Sequence, residues 1–332
     1  DINVYPKNDT HTGDIKLVKK GIIGSDKNSA TLLSGVQFTL ERLKDGSNPE
    51  VWEPVNGTDA NANNVYTTKD GEITVKSLMP GTYRFKEIGY SSDAKDTKYI
   101  INKDEYYYFT IDEQGEVNGD DTAANKNDYT AAGTTVTVYN YAPDIDKQVQ
   151  KRDDSAGKTW QEAADYNVGD MVPYKITVTV PSNIAKLKTF KVTDTPTNLK
   201  DNIESIKVSG ENVKAGMYTL PATNNDDGGF TIEFHPDKMT DVAGETLTIE
   251  YEAELLGKAV TTTDGNLNQA KLIYSNKTNN ENEKDEDWNQ RGDEAVVYTF
   301  KLKVIKESDV ADENGNKALA GVKFDLYKEV KS

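Results

Sequence analysis

Apolar and polar positions alternate along most of this chain, and the alternation predicts β-strands. In the first third of the chain, Val36, Phe38 and Leu40 share one strand face, and Asp70-Gly71 and Pro80-Gly81 mark turns. Later apolar positions that share a face are Val172, Tyr174, Ile176, Val178 and Val180, then Phe230, Ile232 and Phe234, then Leu247, Ile249, Tyr251, Ala253 and Leu255, then Ala270, Leu272 and Tyr274. The pattern predicts an all-β protein.

Breaks in this pattern divide the chain into segments. Residues 1–12 form a polar linker with one proline, and a first β-domain covers residues 13–142. The Ala142-Pro143 step interrupts the pattern, and a second β-domain covers residues 143–298. Within it, the acidic and asparagine-rich stretch 276–294 is expected to be a mobile loop.

The last segment, residues 299–332, repeats the start of the first domain. The sequence LSGVQFTL at 33–40 recurs as LAGVKFDL at 319–326, and LVK at 17–19 recurs as VIK at 304–306. We therefore expect a second copy of domain one that stops after two strands. Two strands cannot bury a core on their own, so this part should be disordered or partnered.

Three strands of the first domain carry a polar residue on the face that should be buried. The motifs IKLVK, YRFKE and VTVYN end on Lys19, Glu87 and Asn140, each in register with apolar residues. Burying these groups is costly unless they pair. A neutral lysine amine can attack an asparagine carbonyl and expel ammonia, which leaves an isopeptide bond, and a nearby acid can carry the proton. We predict a Lys19–Asn140 crosslink with Glu87 as its catalytic acid.

The alternative interpretation of Lys19 is a solvated lysine at a strand edge, because Lys16 and Lys20 are its neighbours. Alternation places Lys19 on the inner face and the other two on the outer face. This difference favours Lys19 as the reactive residue.

Composition narrows the possible functions. The net charge of −17 argues against binding nucleic acid or an anionic membrane surface. With no cysteines and two histidines, disulfides, thiol chemistry and Cys/His zinc sites are excluded, and we expect no metal and no cofactor. The sequence shows no signal peptide, membrane span or wall-sorting tail, so we expect it to be a piece of a longer chain.

Short motifs also follow one another in a specific order. The segment VYPKN at 4–8 precedes domain one, and IDK at 145–147, VGD at 168–170, FKVTDT at 190–195 and YSN at 274–276 mark domain two. In order and spacing they resemble the backbone pilins of Gram-positive bacteria. Domain one resembles the collagen-adhesin B type (CnaB-like), and domain two resembles the A type (CnaA-like). The resemblance implies tandem immunoglobulin-like β-sandwiches with intramolecular isopeptide bonds.

The same resemblance implies an extracellular, cell-wall-anchored pilus as the location of this protein. In such pili a sortase joins the sorting tail of one subunit to the pilin-motif lysine of the next, and Lys7 matches that lysine. The implied partners are a pilin-specific sortase, identical neighbouring subunits and, in addition, host matrix or cells.

For domain two the resemblance implies Lys147 as nucleophile and Asp194 as catalytic acid. Asn276 and Asn268 are both candidate partners, and Asn276 is favoured because Lys147 lies near the start of its strand and should meet the end of the penultimate strand. The alternative is an ordinary buried asparagine. Lys306 is the expected nucleophile of the third segment, whose glutamate and asparagine partners are absent from this chain.

These observations favour a structural pilus subunit, with single-turnover crosslinking instead of enzymatic turnover. The alternative is a matrix-binding adhesin or ancillary pilin, which would share the same domain types but should add a binding domain. A sugar-active enzyme is the weakest candidate, because no aromatic-rich cleft accompanies the carboxylates.

Overall fold

The computed structural model describes residues 11–57, 60–61, 63–119, 129–152, 157–325 and 327. Strands dominate these residues, and the helical elements found among them are short 3₁₀ turns. The strands form four sheets, which pack as two sandwiches around separate apolar cores. The all-β prediction is therefore confirmed.

The first sandwich consists of strands β1 to β11. They are β1 (Gly13–Ile23), β2 (Thr31–Leu32), β3 (Val36–Leu43), β4 (Trp52–Pro54), β5 (Val65–Thr67), β6 (Glu72–Leu78), β7 (Gly81–Tyr90), β8 (Tyr106–Ile111), β9 (Val117–Gly119), β10 (Tyr129–Ala132) and β11 (Thr135–Ala142). The β1 sheet has the order β10-β11-β1-β2, with β6 also paired to β1. The β7 sheet has the order β4-β3-β7-β8-β9, with β5 also paired to β3.

In this sandwich the first and last strands, β1 and β11, lie side by side and run parallel. Lys19 pairs with Val138, and Gly21 pairs with Asn140. The side chains of Lys19 and Asn140 therefore sit two positions apart on neighbouring strands and point into the same core. This topology brings residues from opposite ends of the domain sequence into contact.

The second sandwich consists of strands β12 to β22. They are β12 (Asp144–Gln150), β13 (Trp160–Gln161), β14 (Ala163–Asp165), β15 (Met171–Thr179), β16 (Phe190–Pro196), β17 (Leu199–Ser209), β18 (Tyr218–Thr219), β19 (Phe230–Phe234), β20 (Thr246–Leu255), β21 (Asn266–Ser275) and β22 (Trp288–Tyr298). The β12 sheet has the order β13-β12-β15-β20-β17, and the β21 sheet has the order β14-β22-β21-β16-β19-β18. The 3₁₀ turns of the two sandwiches lie at Lys27–Ser29, Ile184–Lys186, Ala215–Met217, Pro236–Lys238, Thr240–Val242 and Asp285–Asp287.

The two sandwiches are joined closely, since Pro143 alone separates β11 from β12. A segment of the first sandwich between β7 and β8 also contacts the second sandwich. The Ile101 amide donates to the Asn276 carbonyl at 2.9 Å, and the Thr278 amide donates to the Ile101 carbonyl at 2.9 Å. Ile100 packs in the core of the second sandwich. The end of β21 is thereby attached to the first domain.

The acidic stretch 276–294 is only partly a loop, which corrects the prediction. Strand β22 begins at Trp288 and pairs with β21 from Trp288 to Val297. Its alternation was missed because two partly buried positions carry charge. The Arg291 side chain donates to Asp144 at 2.8 Å, and the Asp293 carboxylate accepts from the Lys147 amide at 2.6 Å.

The repeated segment after β22 does not form the two strands expected of it. Among its described residues, 299–325 and 327, the pairing found is a single bridge between Glu307 and Ala318. Its apolar side chains are exposed, including Phe300, Leu302, Val304 and Ile305. This agrees with the argument that two strands have no core to bury.

Candidate functional site

Three strands bring Lys19, Asn140 and Glu87 together in the core of the first sandwich. Lys19 lies on β1 and Asn140 on β11 of one sheet, and Glu87 lies on β7 of the facing sheet. Alternation carries each polar side chain inward with its apolar neighbours. All three residues are buried, with relative exposures of 0%, 0% and 1%.

The three side chains form a closed hydrogen-bonded triangle. Lys19 Nζ donates to Asn140 Oδ1 at 2.5 Å and to Glu87 Oε2 at 3.1 Å, and Asn140 Nδ2 donates to Glu87 Oε1 at 2.5 Å. The amine thus contacts the carbonyl that it would attack. The carboxyl contacts both the amine and the nitrogen that would leave. A nucleophile, an electrophile and a proton carrier are all within hydrogen-bonding distance, as formation of an amide between side chains requires.

A cluster of aromatic rings packs beside this triangle. The Lys19 amine lies 5.7 Å from the centre of the Phe38 ring, and Phe38 packs edge-on against Phe85 and Tyr107. Such surroundings exclude water and strengthen electrostatic contacts between the three reacting groups.

The neighbouring lysines of β1 lie on the outer face. Lys16 Nζ is 2.6 Å from Glu72, and both side chains are about 40% exposed. Lys20 is likewise only partly buried. Of the three lysines, Lys19 alone is fully buried, so it is not a solvated edge lysine.

The second sandwich contains a related cluster around Lys147 on β12. Its Nζ contacts the Asp194 carboxylate on β16 and donates to the Tyr251 hydroxyl on β20 at 2.8 Å. Asn268 on β21 donates through Nδ2 to the same hydroxyl at 3.2 Å. All four residues are buried, so the cluster joins the two sheets through the core.

The structure brings Asn268, and not the favoured Asn276, into the cluster around Lys147. The Lys147 amide donates to Asp293, and Asp293 pairs with Ala270 on β21. Lys147 therefore faces the part of β21 around Asn268 and Ala270. Asn276 lies six residues beyond Ala270, roughly 20 Å further along at about 3.3 Å per residue, which exceeds the reach of a lysine side chain.

The offset between β12 and β21 explains why the strand-direction argument favoured Asn276. Strand β12 begins beside Leu272, because Asp144 binds Arg291 and Arg291 pairs with Leu272. The two strands do run in opposite directions, as expected. However, hydrogen bonds set the offset only between paired strands, and β12 and β21 lie in facing sheets. Strand direction alone could not choose between Asn268 and Asn276.

A second carboxyl group, Asp201 on β17, adjoins Asp194 and was missed in the sequence. No N–H or O–H group among the described residues donates to either of its oxygens, and its side chain interacts with Asp194. Burial and the nearby Asp194 charge raise the pKa of Asp201 to about 10. The protonated carboxyl can then donate to Asp194. Its inward position could have been noticed from its spacing to the apolar Leu199.

Burial has opposite effects on the amine and the hydroxyl of this cluster. Burial lowers the pKa of Lys147. The nearby Asp194 carboxylate acts in the opposite direction, but the effect of burial is larger. Burial also raises the pKa of Tyr251 well above the ordinary value, and the Asp194 charge adds to this increase. The cluster therefore favours a neutral nucleophilic amine beside a hydroxyl that keeps its proton.

Lys306, the predicted third nucleophile, lies on the exposed segment. Its carbonyl accepts from the Leu319 amide at 2.9 Å, and the Lys19 carbonyl accepts from the Leu33 amide at 2.9 Å. These are equivalent positions of the sequence repeat. The backbone contacts therefore match the predicted correspondence between Lys306 and Lys19.

The predicted linkage lysine, Lys7, lies outside the described residues. Within the part of the chain that the structure describes, no helix has the length and apolar character needed to cross a membrane.

The fold and its buried clusters can be compared with known proteins. A family model described as the SpaA prealbumin-like fold domain matches residues 16–126. This range contains Lys19 and Glu87 and most of the first sandwich. A search of curated protein sequences found no match.

Solved structures resemble a larger part of the chain. The full-length major pilin SpaD of Corynebacterium diphtheriae superimposes with a TM-score of 0.52 at 19% identity, over 93% of this chain and 71% of SpaD. The chain has the fold of Gram-positive major pilins. A variant of BcpA, the major pilin subunit of Bacillus cereus, gives 0.50 at 21% identity over 92% of this chain and 74% of BcpA. The T6 backbone pilin of serotype M6 Streptococcus pyogenes gives 0.50 at 17% identity over 87% and 64%.

Proposed function

We propose that this chain is a structural backbone subunit of a covalently polymerised pilus on a Gram-positive cell surface. In this proposal each complete sandwich is crosslinked internally by a Lys–Asn isopeptide bond. The pilin fold supports the first part, and the two buried lysine clusters support the second.

The observation that carries the proposal is the Lys19–Glu87–Asn140 triangle. Lys19 Nζ attacks Cγ of Asn140, Glu87 carries a proton from the amine to the departing nitrogen, and ammonia leaves. Holding the groups in contact supplies an effective molarity of roughly 10⁵ M or more. The reaction happens once per molecule and needs no cofactor, so the protein is not a turnover enzyme.

In the second sandwich we assign the equivalent bond to Lys147 and Asn268, with Asp194 as the acid. Lys147 and Asn268 contact the same Tyr251 hydroxyl from facing sheets. A bond between them would join β12 to β21 across the core.

The two bonds together would provide a short covalent path for tension. Load that enters through β1 would cross to β11 at Lys19–Asn140, pass along the short connection to Lys147, and cross to β21 at Asn268. Tension would bypass most of the backbone hydrogen bonds of both sandwiches, each of which contributes only about 1 kcal/mol net. This route suits a fibre that must resist pulling and proteolysis.

Polymerisation in this proposal uses Lys7 as the acceptor for a pilin-specific sortase, and the neighbours are identical subunits. The support is the VYPKN motif and its position before the first sandwich. Host matrix or cells are further partners of the assembled fibre.

Intact-mass spectrometry should detect both crosslinks. Each bond releases one ammonia, so the protein should weigh about 34 Da less than its sequence mass. Peptide mapping should place about 17 Da of this deficit in a peptide pair containing Lys19 and Asn140. A protein at its full sequence mass would refute internal crosslinking in both sandwiches.

Replacing Lys7 by alanine in the full precursor should abolish the ladder of covalent polymers in cells that carry the pilin sortase. The matched control is Lys27→Ala, which removes an exposed lysine from the first sandwich and should leave the ladder intact. A ladder that persists in the Lys7→Ala strain would exclude Lys7 as the linkage site. No ladder from the unmodified precursor, together with saturable matrix binding, would favour an adhesin.

A further inference from the structure

The hydroxyl group of Tyr251 lies between the two side chains that would react in the second sandwich. Lys147 Nζ is 2.8 Å from the hydroxyl oxygen, and Asn268 Nδ2 is 3.2 Å from it. One contact is to the nucleophile and the other is to the nitrogen that must depart. The sequence pattern had assigned Tyr251 only to the apolar core.

The two sandwiches differ in the group that contacts both the lysine amine and the departing asparagine nitrogen. In the first, the Glu87 carboxyl contacts both the Lys19 amine and the departing nitrogen of Asn140. In the second, Asp194 contacts Lys147, but among the hydrogen bonds of the described residues none joins Asp194 to Asn268. The acid alone therefore does not bridge the amine and the leaving group.

We propose that Tyr251 is a catalytic residue of the second sandwich, and that its hydroxyl relays a proton from the Lys147 amine to the departing nitrogen of Asn268. This inference rests on the proposed Lys147–Asn268 bond. It assigns separate roles to two groups, where the first sandwich uses one carboxyl.

Two protons leave the Lys147 nitrogen during the reaction. Asp194 takes one proton from the Lys147 ammonium and leaves a neutral amine. Nζ then attacks Cγ of Asn268, and the amide nitrogen becomes tetrahedral and gains a lone pair that can accept a hydrogen bond. The Tyr251 oxygen takes the second proton from Nζ while its own proton passes to Nδ2. The Cγ–Nδ2 bond breaks, ammonia leaves, and Tyr251 is again a neutral phenol.

The surroundings of Tyr251 suit this role. Its ring stacks on Tyr174 with centres 5.5 Å apart, and the Phe230 ring packs against it edge-on at 4.9 Å. This packing holds the hydroxyl in place between the reacting groups. Because the hydroxyl is buried and keeps its proton at neutral pH, it can donate and accept in the same step.

The test is Tyr251→Phe in the full chain, which removes the hydroxyl and keeps the ring. Loss of a positioned proton carrier slows a reaction by roughly 10²-fold or more. Freshly purified Tyr251→Phe protein should therefore show a deficit of about 17 Da, from the first sandwich alone. The second ammonia should be lost slowly or not at all during incubation.

The matched control is Tyr274→Phe, on the same strand as Asn268. Tyr274 donates to the Lys98 carbonyl at 2.7 Å, away from Lys147, so its variant should keep the full deficit of about 34 Da. A Tyr251→Phe protein that forms both bonds at the unmodified rate would overturn the relay and leave the crosslinks standing. An unmodified protein that has lost no ammonia from domain two would instead refute the bond itself.

A second variant tests the proposal even if the Tyr251→Phe protein does not fold. Fluorotyrosine placed at position 251 keeps the shape of the ring and makes the hydroxyl more acidic. If the proton passes through this hydroxyl, the pH profile of ammonia loss from domain two should shift to lower pH. An unchanged rate and profile would overturn the proposal.

Discussion

Glu87→Gln should leave the first sandwich uncrosslinked and strongly destabilised, while the second sandwich keeps its bond. Glutamine preserves the shape of the side chain but cannot shuttle the proton. On the chain-entropy model, losing a crosslink between residues 121 positions apart costs about 5 kcal/mol.

Two measurements check this expectation. The variant should weigh only about 17 Da less than its own sequence mass. Its first unfolding transition should fall by on the order of 15 °C or more, since 1 kcal/mol corresponds to a few degrees for a domain of this size.

The matched control is Glu72→Gln, which breaks the Lys16–Glu72 ion pair on the outer face of the same strand. Exposed pairs contribute about 0–1 kcal/mol, so this variant should keep both crosslinks and nearly the full stability. If Glu87→Gln retained a deficit of about 34 Da, Glu87 would not be the proton carrier of the first bond.

The first site could be predicted from sequence because a strand has a period of two. Once residues 15–19 are a strand with Ile15 and Leu17 inside, Lys19 must also face the core. The same alternation places Glu87 on the inner face with Phe85, and Asn140 on the inner face with Val138. Alternation therefore identifies the three residues. The parallel pairing of β1 with β11 brings Lys19 to Asn140, and the packing of the facing sheet adds Glu87.

The second site was predicted less well because it depends on how facing sheets are offset. Lys147, Asp194 and Asn268 lie buried on inner faces, as alternation predicts, whereas Asn276 follows the end of β21 and is only partly buried. Alternation carries no information on position along a strand in another sheet. Side-chain contacts set that offset, through Asp144 with Arg291 and the Lys147 amide with Asp293. Because those partners lie in a stretch predicted to be a loop, the register could not be derived.

Two groups of the second site were overlooked for a related reason. Tyrosine fits an apolar strand face, so Tyr251 satisfied the core pattern, and its hydroxyl drew no attention. Asp201 follows Leu199 on an inner face, but the register of β17 with β20 becomes irregular after Asn202, so this alternation extends over only a few residues. Polar atoms within otherwise regular core strands are thus the signal that a search for such sites should use.

Asn268→Ala should abolish the crosslink of the second sandwich and leave that of the first. The amide that Lys147 would attack is gone, so the deficit should fall from about 34 Da to about 17 Da. The closed loop would be about as long as that in the first sandwich, so the lost crosslink again costs about 5 kcal/mol on the chain-entropy model. The lower transition in thermal unfolding should then belong to domain two.

The matched control, Asn276→Ala, separates the two candidate asparagines. Asn276 binds the first domain through its backbone carbonyl, which alanine retains, and its side-chain oxygen has no hydrogen-bond donor among the described residues. This variant should keep the full deficit and change stability little. Peptide mapping of the unmodified protein gives the same answer without a substitution, since the crosslinked pair must contain Lys147 and either Asn268 or Asn276. A pair containing Asn276 would require β12 to shift by roughly 20 Å along β21, which the Asp144–Arg291 contact and the single-residue connection from β11 both oppose.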